Sequence, residues 1–332
     1  MFEPVFLNLG LMIAGLLVLV YSGVYVVHSL SALARFLGIS EYTISFILLA
    51  IATTLPELSV GVSAAVSGDP DLSLGNVLGT NIVNITLILG LVAVISGKVE
   101  LADYEDFRKT RFSIFLLVLS PVILLIDGAL SRMDGIILLF LFLWNIYRTL
   151  SVGVKYGRRT PGLFEGGAAG VAGKLWKNRR RPLRRFFIFT LSVAALVASS
   201  YLVVYSASNL SLVLGLPEIL IGILIVALGT SLPELSLGIR SAVEGKGNVP
   251  FGNLLGALVM NSTLVLGVTA VISPIGVVES SIFWISALFM AASVLLVFYF
   301  LRARHFLVRR EGIALIFVYT AFLIMQGGIN IF

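Results

Sequence analysis

The sequence predicts an all-α polytopic membrane protein in which ten transmembrane helices form two inverted five-helix repeats. Three observations predict it: composition, the sorting of charge along the chain, and an internal repeat. The 332 residues are 58% hydrophobic and only 12% charged, with a mean hydropathy of +1.06. An ordinary soluble chain carries about twice that charge, so a soluble domain is excluded. There is no cysteine, which removes disulfides, thiolate metal sites, iron–sulfur clusters and cysteine nucleophiles from consideration.

Crossing a bilayer takes about 20 apolar residues. Apolar segments recur near 6–29, 44–66, 74–96, 112–127, 133–150, 186–210, 217–243, 250–273, 281–301 and 312–331. Pro121 falls inside the short fourth segment and is expected to interrupt it. With the amino terminus outside, 22 of the 23 Lys and Arg residues fall in inside loops and only Arg132 lies outside, as the positive-inside rule requires. Glu3 precedes the first segment and no basic residue occurs before Arg35, so the start is expected to be a span and not a signal peptide. The formal net charge of +6 therefore orients a membrane protein; it does not indicate a nucleic-acid partner.

The segments divide into a first unit, 1–151, a basic linker, 152–185, and a second unit, 186–332. The run 174–185 (KLWKNRRRPLRR) is expected to be a cytoplasmic connector that fixes topology, with contact to anionic lipid headgroups as its functional alternative. The linker glycines lack the strand and helix of a nucleotide-binding fingerprint. His28 and His305 fall near segment ends, do not recur in the repeat, and are assigned to the interface or cytoplasmic edge.

Residues 50–90 and 227–267 align without a gap at an offset of 177, with 20 of 41 positions identical. The identities include Thr53/Thr230, Pro56/Pro233, Glu57/Glu234, Gly75/Gly252, Asn76/Asn253, Gly79/Gly256 and Asn84/Asn261. Each copy occupies the second and third segment of its unit. An odd number of crossings per unit turns the second copy upside down relative to the first, the plan of secondary transporters whose site forms at the repeat interface from interrupted helices. Pro56 and Pro233 are expected to supply the interruption, since each removes a backbone donor and frees a carbonyl about one turn earlier.

Of 17 acidic residues, only Glu57 and Glu234 lie deep within an apolar segment. A carboxylate there costs a few kcal/mol and marks an ion or proton pathway. Thr53 and Glu57 share a helix face at a spacing of four, as do Thr230 and Glu234. The following segments carry Asn76, Thr80 and Asn84 at the same spacing, and Asn253, Ala257 and Asn261 in the second copy. Carboxylate, hydroxyl, amide oxygen and freed carbonyl are hard ligands suited to Ca²⁺ or Na⁺ and to no soft metal. The repeated glycines read mainly as sites of close helix approach.

These stretches, Ala-Thr-Thr-Leu-Pro-Glu57 and Gly-Thr-Ser-Leu-Pro-Glu234, each followed by the Gly-Asn-x-x-Gly of 75–79 and 252–256, resemble the α-repeats of the cation/calcium exchanger superfamily, most closely its prokaryotic sodium/calcium exchangers. The resemblance implies that Glu57 and Glu234 are shared Ca²⁺/Na⁺ carboxylates. It implies that Thr53 and Thr230, with the carbonyls of Ala50 and Ala227, complete the ion shells, and that Thr54, Ser231, Thr80 and Asn84 add polar ligands. Leu78-Gly79 and Leu255-Gly256 stand where the hydrogen/calcium branch has an acidic element. Ala257 replaces a Ser, and Asn261 takes a place often held by Asp.

Two ionised Glu residues neutralise one Ca²⁺, whereas three Na⁺ leave one surplus charge, so three-for-one exchange is electrogenic. The expected function is secondary-active Na⁺/Ca²⁺ antiport by alternating access, with Ca²⁺ and Na⁺ as transported ions, no cofactor and no ATP, since no P-loop occurs. The rival is a family exchanger of Ca²⁺ or Mg²⁺ coupled to H⁺ or K⁺. An intramembrane hydrolase lacks a nucleophile and base pair, and a channel is separated only by uphill transport.

Overall fold

The computed structural model describes residues 2–36, 41–100, 104–156, 182–244, 248–276, 281–304 and 306–329. Ten helical rods run through them. They are α1 (Phe2–Phe36), α2 (Glu41–Ser67), α3 (Pro70–Ser96), α4 (Tyr104–Leu124) and α5 (Arg132–Tyr156), then α6 (Pro182–Leu214), α7 in two halves (Glu218–Thr230 and Leu232–Val243), α8 (248–272), α9 (Ser281–Arg304) and α10 (Arg309–Ile329). Over their described residues seven are long and apolar enough to cross a membrane, and eight if the bent α7 pair is one span. The protein is a multi-pass membrane protein. Most of the 152–185 linker, His305, and the side chains of His28, Ala50 and Thr53 lie outside the described residues.

Local chemistry sets the rod ends. Pro70 occupies the first turn of α3, where its missing N–H costs nothing, and Asp71 faces the positive end of the helix dipole. The same rod stops at Gly97, whose φ of 75° closes the last turn in the left-handed region. At α5 the Ser131 hydroxyl accepts from the Asp134 N–H at 3.2 Å while the Asp134 carboxylate accepts from the Ser131 N–H at 2.9 Å, a reciprocal cap.

Two small antiparallel clips, absent from the all-α expectation, tie the repeats together. β1 (Lys98–Glu100) pairs with β4 (Phe306–Val308), and β2 (Ala129–Leu130) pairs with β3 (Ile275–Gly276). Adding the repeat offset to Lys98 gives Ile275, and adding it to Ala129 gives Phe306, so the repeat exchanges one clip for the other. The glycine contacts obey the same rule. A Cβ at Gly90 of α3 would lie 2.8 Å from the Gly312 carbonyl oxygen of α10, and one at Gly135 of α5 would lie 2.8 Å from that of Gly267 in α8. Gly90 matches Gly267 in the repeat, and Gly135 matches Gly312. Each half therefore packs its third helix against the last helix of the other, and the halves interlock.

Buried side chains of α3 to α5 and α7 to α10 form one core that includes Leu78, Ile85, Phe283 and Phe322. A second core joins α1 and α6, through Met12, Leu19, Val203 and Ala207, to Val60 of α2 and Val226 of α7. The α1 and α6 rods approach closely at Gly15, where a Cβ would sit 3.0 Å from Val203 Cγ2.

Two sequence expectations need correction. Pro121 does not interrupt α4, which continues to Leu124 and closes with a 3₁₀ turn at Leu125–Asp127. Pro56 does not break α2 either, because it sits inside a helix continuous over Glu41–Ser67. Only the second copy breaks, at Ser231, with the α7 halves bent by 45°. A proline deletes one hydrogen bond, and the intact turns on both sides of Pro56 carry the helix past it. In α7 the break coincides with Ser231, whose backbone (φ −79°, ψ 1°) has left the helical region.

The repeated glycine pairs sit in different surroundings. A Cβ at Gly75 would collide with the Ile219 carbonyl oxygen, and one at Gly79 would lie 2.5 Å from that of Ile223, whereas among the described residues Gly252 and Gly256 meet nothing within 4 Å. The α3 to α7 contact is closed at these positions, whereas no described residue closes on Gly252 or Gly256. Gly75→Ala is expected to cost about 1–3 kcal/mol of stability through overpacking, with Gly252→Ala neutral or slightly stabilising. Thermal unfolding of the two purified variants in detergent checks this; equal melting temperatures would contradict it.

Candidate ion-binding site

Four helices bring their polar residues to the middle of the bundle. α2 supplies Thr54 and Glu57, α3 supplies Asn76, Thr80, Asn81 and Asn84, α7 supplies Thr230, Ser231 and Glu234, and α8 supplies Asn261. All ten are buried, with Glu57 at 0% and Glu234 at 2% exposure. Thr53, and the Ala50 whose carbonyl was expected as a ligand, fall where α2 side chains lie outside the described residues.

The carboxylates reach this depth by different routes. Glu57 projects from an unbroken helix, and neither of its oxygens has a hydrogen bond of ordinary geometry among the described residues. The Glu234 carboxylate and the Thr230 hydroxyl are its electrostatic neighbours. Glu234 stands in the first turn of the second α7 half. The Ser231 break gives that carboxylate the positive end of a helix dipole, a compensation Glu57 lacks. Two like charges this deep in apolar surroundings call for a cation or for protons.

The hydroxyls and amides form a linked set. The Thr230 hydroxyl lies 3.1 Å from Asn76 Oδ1, 3.3 Å from the Ala227 carbonyl oxygen and 3.4 Å from the Thr80 hydroxyl. It has one proton to give, so Thr80 donates to it when Asn76 or Ala227 accepts. Ser231 donates its hydroxyl to the Ala227 carbonyl at 2.7 Å, and its N–H reaches the same oxygen at 3.1 Å. The Ala227 carbonyl, expected as an ion ligand, thus already accepts twice, and the Ser231 hydroxyl must turn away before it binds a cation. Thr54 lies 3.8 Å from Met260 Sδ, linking α2 to α8 one residue before Asn261.

Asn84 and Asn261, equivalent in the repeat, each sit in a π-helical turn, Val83–Ile88 and Asn261–Val265. Such turns insert one residue into a helix, widen it locally and recur at functional sites. Both amide atoms of Asn84 are buried without a hydrogen-bond partner among the described residues. Oxygen from carboxylates, hydroxyls and amides is the donor set of Ca²⁺ and Na⁺. Among the described residues no group of three or more His, Cys, Asp and Glu gathers, and the described oxygens beside the two carboxylates are neutral.

Sequence reasoning singled out Asn76 only as a neighbour, although it is fully buried and paired to Thr230. Its place in the repeated Gly-Asn pair was the signal. It passed over Asn81, Ser262 and Met290, which hydrogen-bond beside Asn261. Asn81 aligns with Leu258 in the second copy, so comparing repeats discards it.

A bundle of interlocked inverted repeats around a buried, oxygen-lined carboxylate pair defines a membrane ion-transport protein. The family model for "sodium/calcium exchanger protein" matches residues 7–150 and 185–328, and the chain belongs to that family. It is 34% identical over 268 residues to the inner membrane protein YrbG of Escherichia coli K12, covering 80% of each chain. It is 29% identical to the sodium/calcium exchanger MaX1 of Methanosarcina acetivorans, covering 96% of this chain and 98% of that one. Among solved structures, the H⁺/Ca²⁺ exchanger CAX superposes with a TM-score of 0.77 at 21% identity, covering 96% of this chain and 82% of that one. The sodium-calcium exchanger NCX_Mj soaked with Na⁺ and Sr²⁺ superposes with a TM-score of 0.60 at 26% identity, covering 96% and 97%.

Removing one buried like charge should relieve the ion-depleted state. Glu57→Gln in chelator is expected to melt above the parent at neutral pH. Ca²⁺ at about a hundred times its Kd adds about 2.7 kcal/mol to the parent and little to the variant. Differential scanning fluorimetry with and without Ca²⁺ checks both; a parent melting temperature indifferent to Ca²⁺ would contradict the site.

Proposed function

We propose that this protein is a Na⁺/Ca²⁺ antiporter, working by alternating access and extruding Ca²⁺ at the expense of the Na⁺ gradient. The observation that carries the reading is the symmetric pair of buried carboxylates, Glu57 and Glu234, among buried hydroxyl and amide groups. The printed names of MaX1 and NCX_Mj support sodium as the coupling ion. So does the absence of an acidic residue at Leu78-Gly79 and Leu255-Gly256, where the hydrogen/calcium branch is expected to carry one.

The proposed architecture is two inverted halves, 1–151 and 186–332, joined by the basic linker 152–185. The amino terminus lies outside and the linker lies in the cytoplasm. The charge sorting supports this orientation, because Lys98, Arg302, Arg304 and Arg309 flank the β1–β4 clip and only Arg132 adjoins the β2–β3 clip. The linker's basic run, 174–185, acts in this reading as a cytoplasmic connector that fixes topology.

In the proposed cycle the carboxylate pair takes either one Ca²⁺ or Na⁺. Ca²⁺ satisfies both charges at once; three Na⁺ carry one net charge across, for about 2.3 kcal/mol per 100 mV of membrane potential. A site holding two uncompensated carboxylates resists the crossing, so only loaded states change sides. The unequal glycine surroundings support alternating access: the Gly75 and Gly79 face is closed on α7, and no described residue closes on the equivalent Gly252 and Gly256. Thr230 and Ser231, at the break of α7, are placed to exchange internal hydrogen bonds for ion contacts when the cargo arrives.

Ca²⁺ uptake into Na⁺-loaded proteoliposomes tests the reading. It is expected to require the outward Na⁺ gradient, to run uphill, to vanish in Glu57→Gln and Glu234→Gln, and to fall at acidic pH as protons compete for the carboxylates. Uptake that ignores Na⁺ and follows a pH or K⁺ gradient would replace sodium as the coupling ion, and uptake unaffected by either Glu substitution would overturn the site.

A further inference from the structure

The amide of Asn261 is locked, whereas its repeat equivalent is not. Asn261 donates its Nδ2 to Asn81 Oδ1 at 3.3 Å. Asn81 in turn donates its own Nδ2 to the Ser262 hydroxyl at 2.9 Å and to Met290 Sδ at 3.7 Å. A thioether sulfur accepts and never donates, so Met290 fixes which end of the Asn81 amide faces it. The nitrogen must point at Met290, the oxygen must then point at Asn261, and the Asn261 nitrogen must turn to meet it. What remains is Asn261 Oδ1, fully buried and without a hydrogen-bond partner among the described residues.

The lock exists in one copy only. Asn81 aligns with Leu258, and the unlocked Asn84 has both amide atoms unpartnered among the described residues. The locked copy is also the one that lacks a hydroxyl, because Ala257 stands where the first copy has Thr80. Asn261 follows Met260, which contacts Thr54 on the helix of Glu57.

We propose that Asn81 is a positioning residue for cation binding: it holds the Asn261 amide so that its oxygen, and not its nitrogen, is presented to the cation on the α8 side. An asparagine in a place open to either amide orientation offers a donor half the time, and an N–H aimed at a cation repels it. Preorganising the oxygen removes that orientation cost before the ion arrives. A carboxylate at 261 would need no such help, since both its atoms are acceptors. The inference rests on the site proposed above being a cation site.

The test is Ca²⁺ transport in proteoliposomes, with half-saturating Ca²⁺ and maximal rate read separately for Asn81→Leu, Asn81→Asp, Asn261→Asp and the Asn81→Leu/Asn261→Asp double variant. Asn81→Leu is expected to raise half-saturating Ca²⁺ about tenfold with a maximal rate near that of the parent, as for the loss of one oriented polar contact. Asn81→Asp keeps an acceptor facing Asn261 Nδ2 and is expected to stay within about threefold of the parent. In the Asn261→Asp background, adding Asn81→Leu is expected to change half-saturation by less than about twofold, because the orientation problem is gone. An Asn81→Leu loss of the same size in both backgrounds, or a loss confined to maximal rate, would show a packing role and overturn the proposal. So would an Asn81→Asp as impaired as Asn81→Leu. A parent that moves no Ca²⁺ would instead overturn the functional reading on which the proposal stands.

Discussion

Two carboxylates with almost no exposure share the centre of a bundle whose surroundings are otherwise apolar or neutral, and the rest of the structure is organised around that constraint. A single charge at such depth costs a few kcal/mol on insertion scales, and a second of the same sign adds repulsion. The fold supplies part of the compensation. The break at Ser231 gives Glu234 a helix N-terminus, and Glu57 has no such aid from its own unbroken helix. A helix terminus carries only a partial charge, so a cation or protons would relieve the pair further.

Interlocking of the halves makes the constraint workable. Each third helix packs on the other half's last helix at a glycine pair, Gly90 with Gly312 and Gly135 with Gly267, and each clip pairs a strand from one half with a strand from the other. The site is therefore held by contacts that cross between repeats, and neither Glu depends on its own half alone. The α1 and α6 rods form a separate core that touches this scaffold through α2, α3 and α7. A polar contact between Ser63 of α2 and Ser200 of α6 at 2.6 Å lies on that boundary. The α1 and α6 rods thus pack as a layer of their own against the helices that carry the two carboxylates.

Much of this was legible in the sequence, because a duplicated chain states its important positions twice. Glu57 and Glu234 stood out since no other acids lie deep in apolar segments, and Asn84 with Asn261 since they survive in register. What the repeat could not reveal is where the copies differ. The prolines were read as equivalent, yet α2 runs through Pro56 and only α7 breaks, because the break depends on the backbone at Ser231 as well as on the missing N–H. The resemblance assigns the Ala227 carbonyl to an ion shell, yet a serine at the break folds its hydroxyl back onto it. Asn81 was invisible because its role depends on Ser262 and Met290, residues about 180 and 209 positions away that no local pattern connects to it. Short clips such as β1 and β4 escaped because three-residue strands carry no period to detect.

In the proposed function Glu57 and Glu234 together hold a single divalent cation. Equilibrium binding of Ca²⁺ to the purified protein, by isothermal titration calorimetry with Glu57→Gln and Glu234→Gln alongside, tests it most directly. One Ca²⁺ per chain, displaced by Na⁺ and lost in either variant, is the predicted result. Two independent ions per chain, or tight binding that survives either substitution, would contradict a shared site.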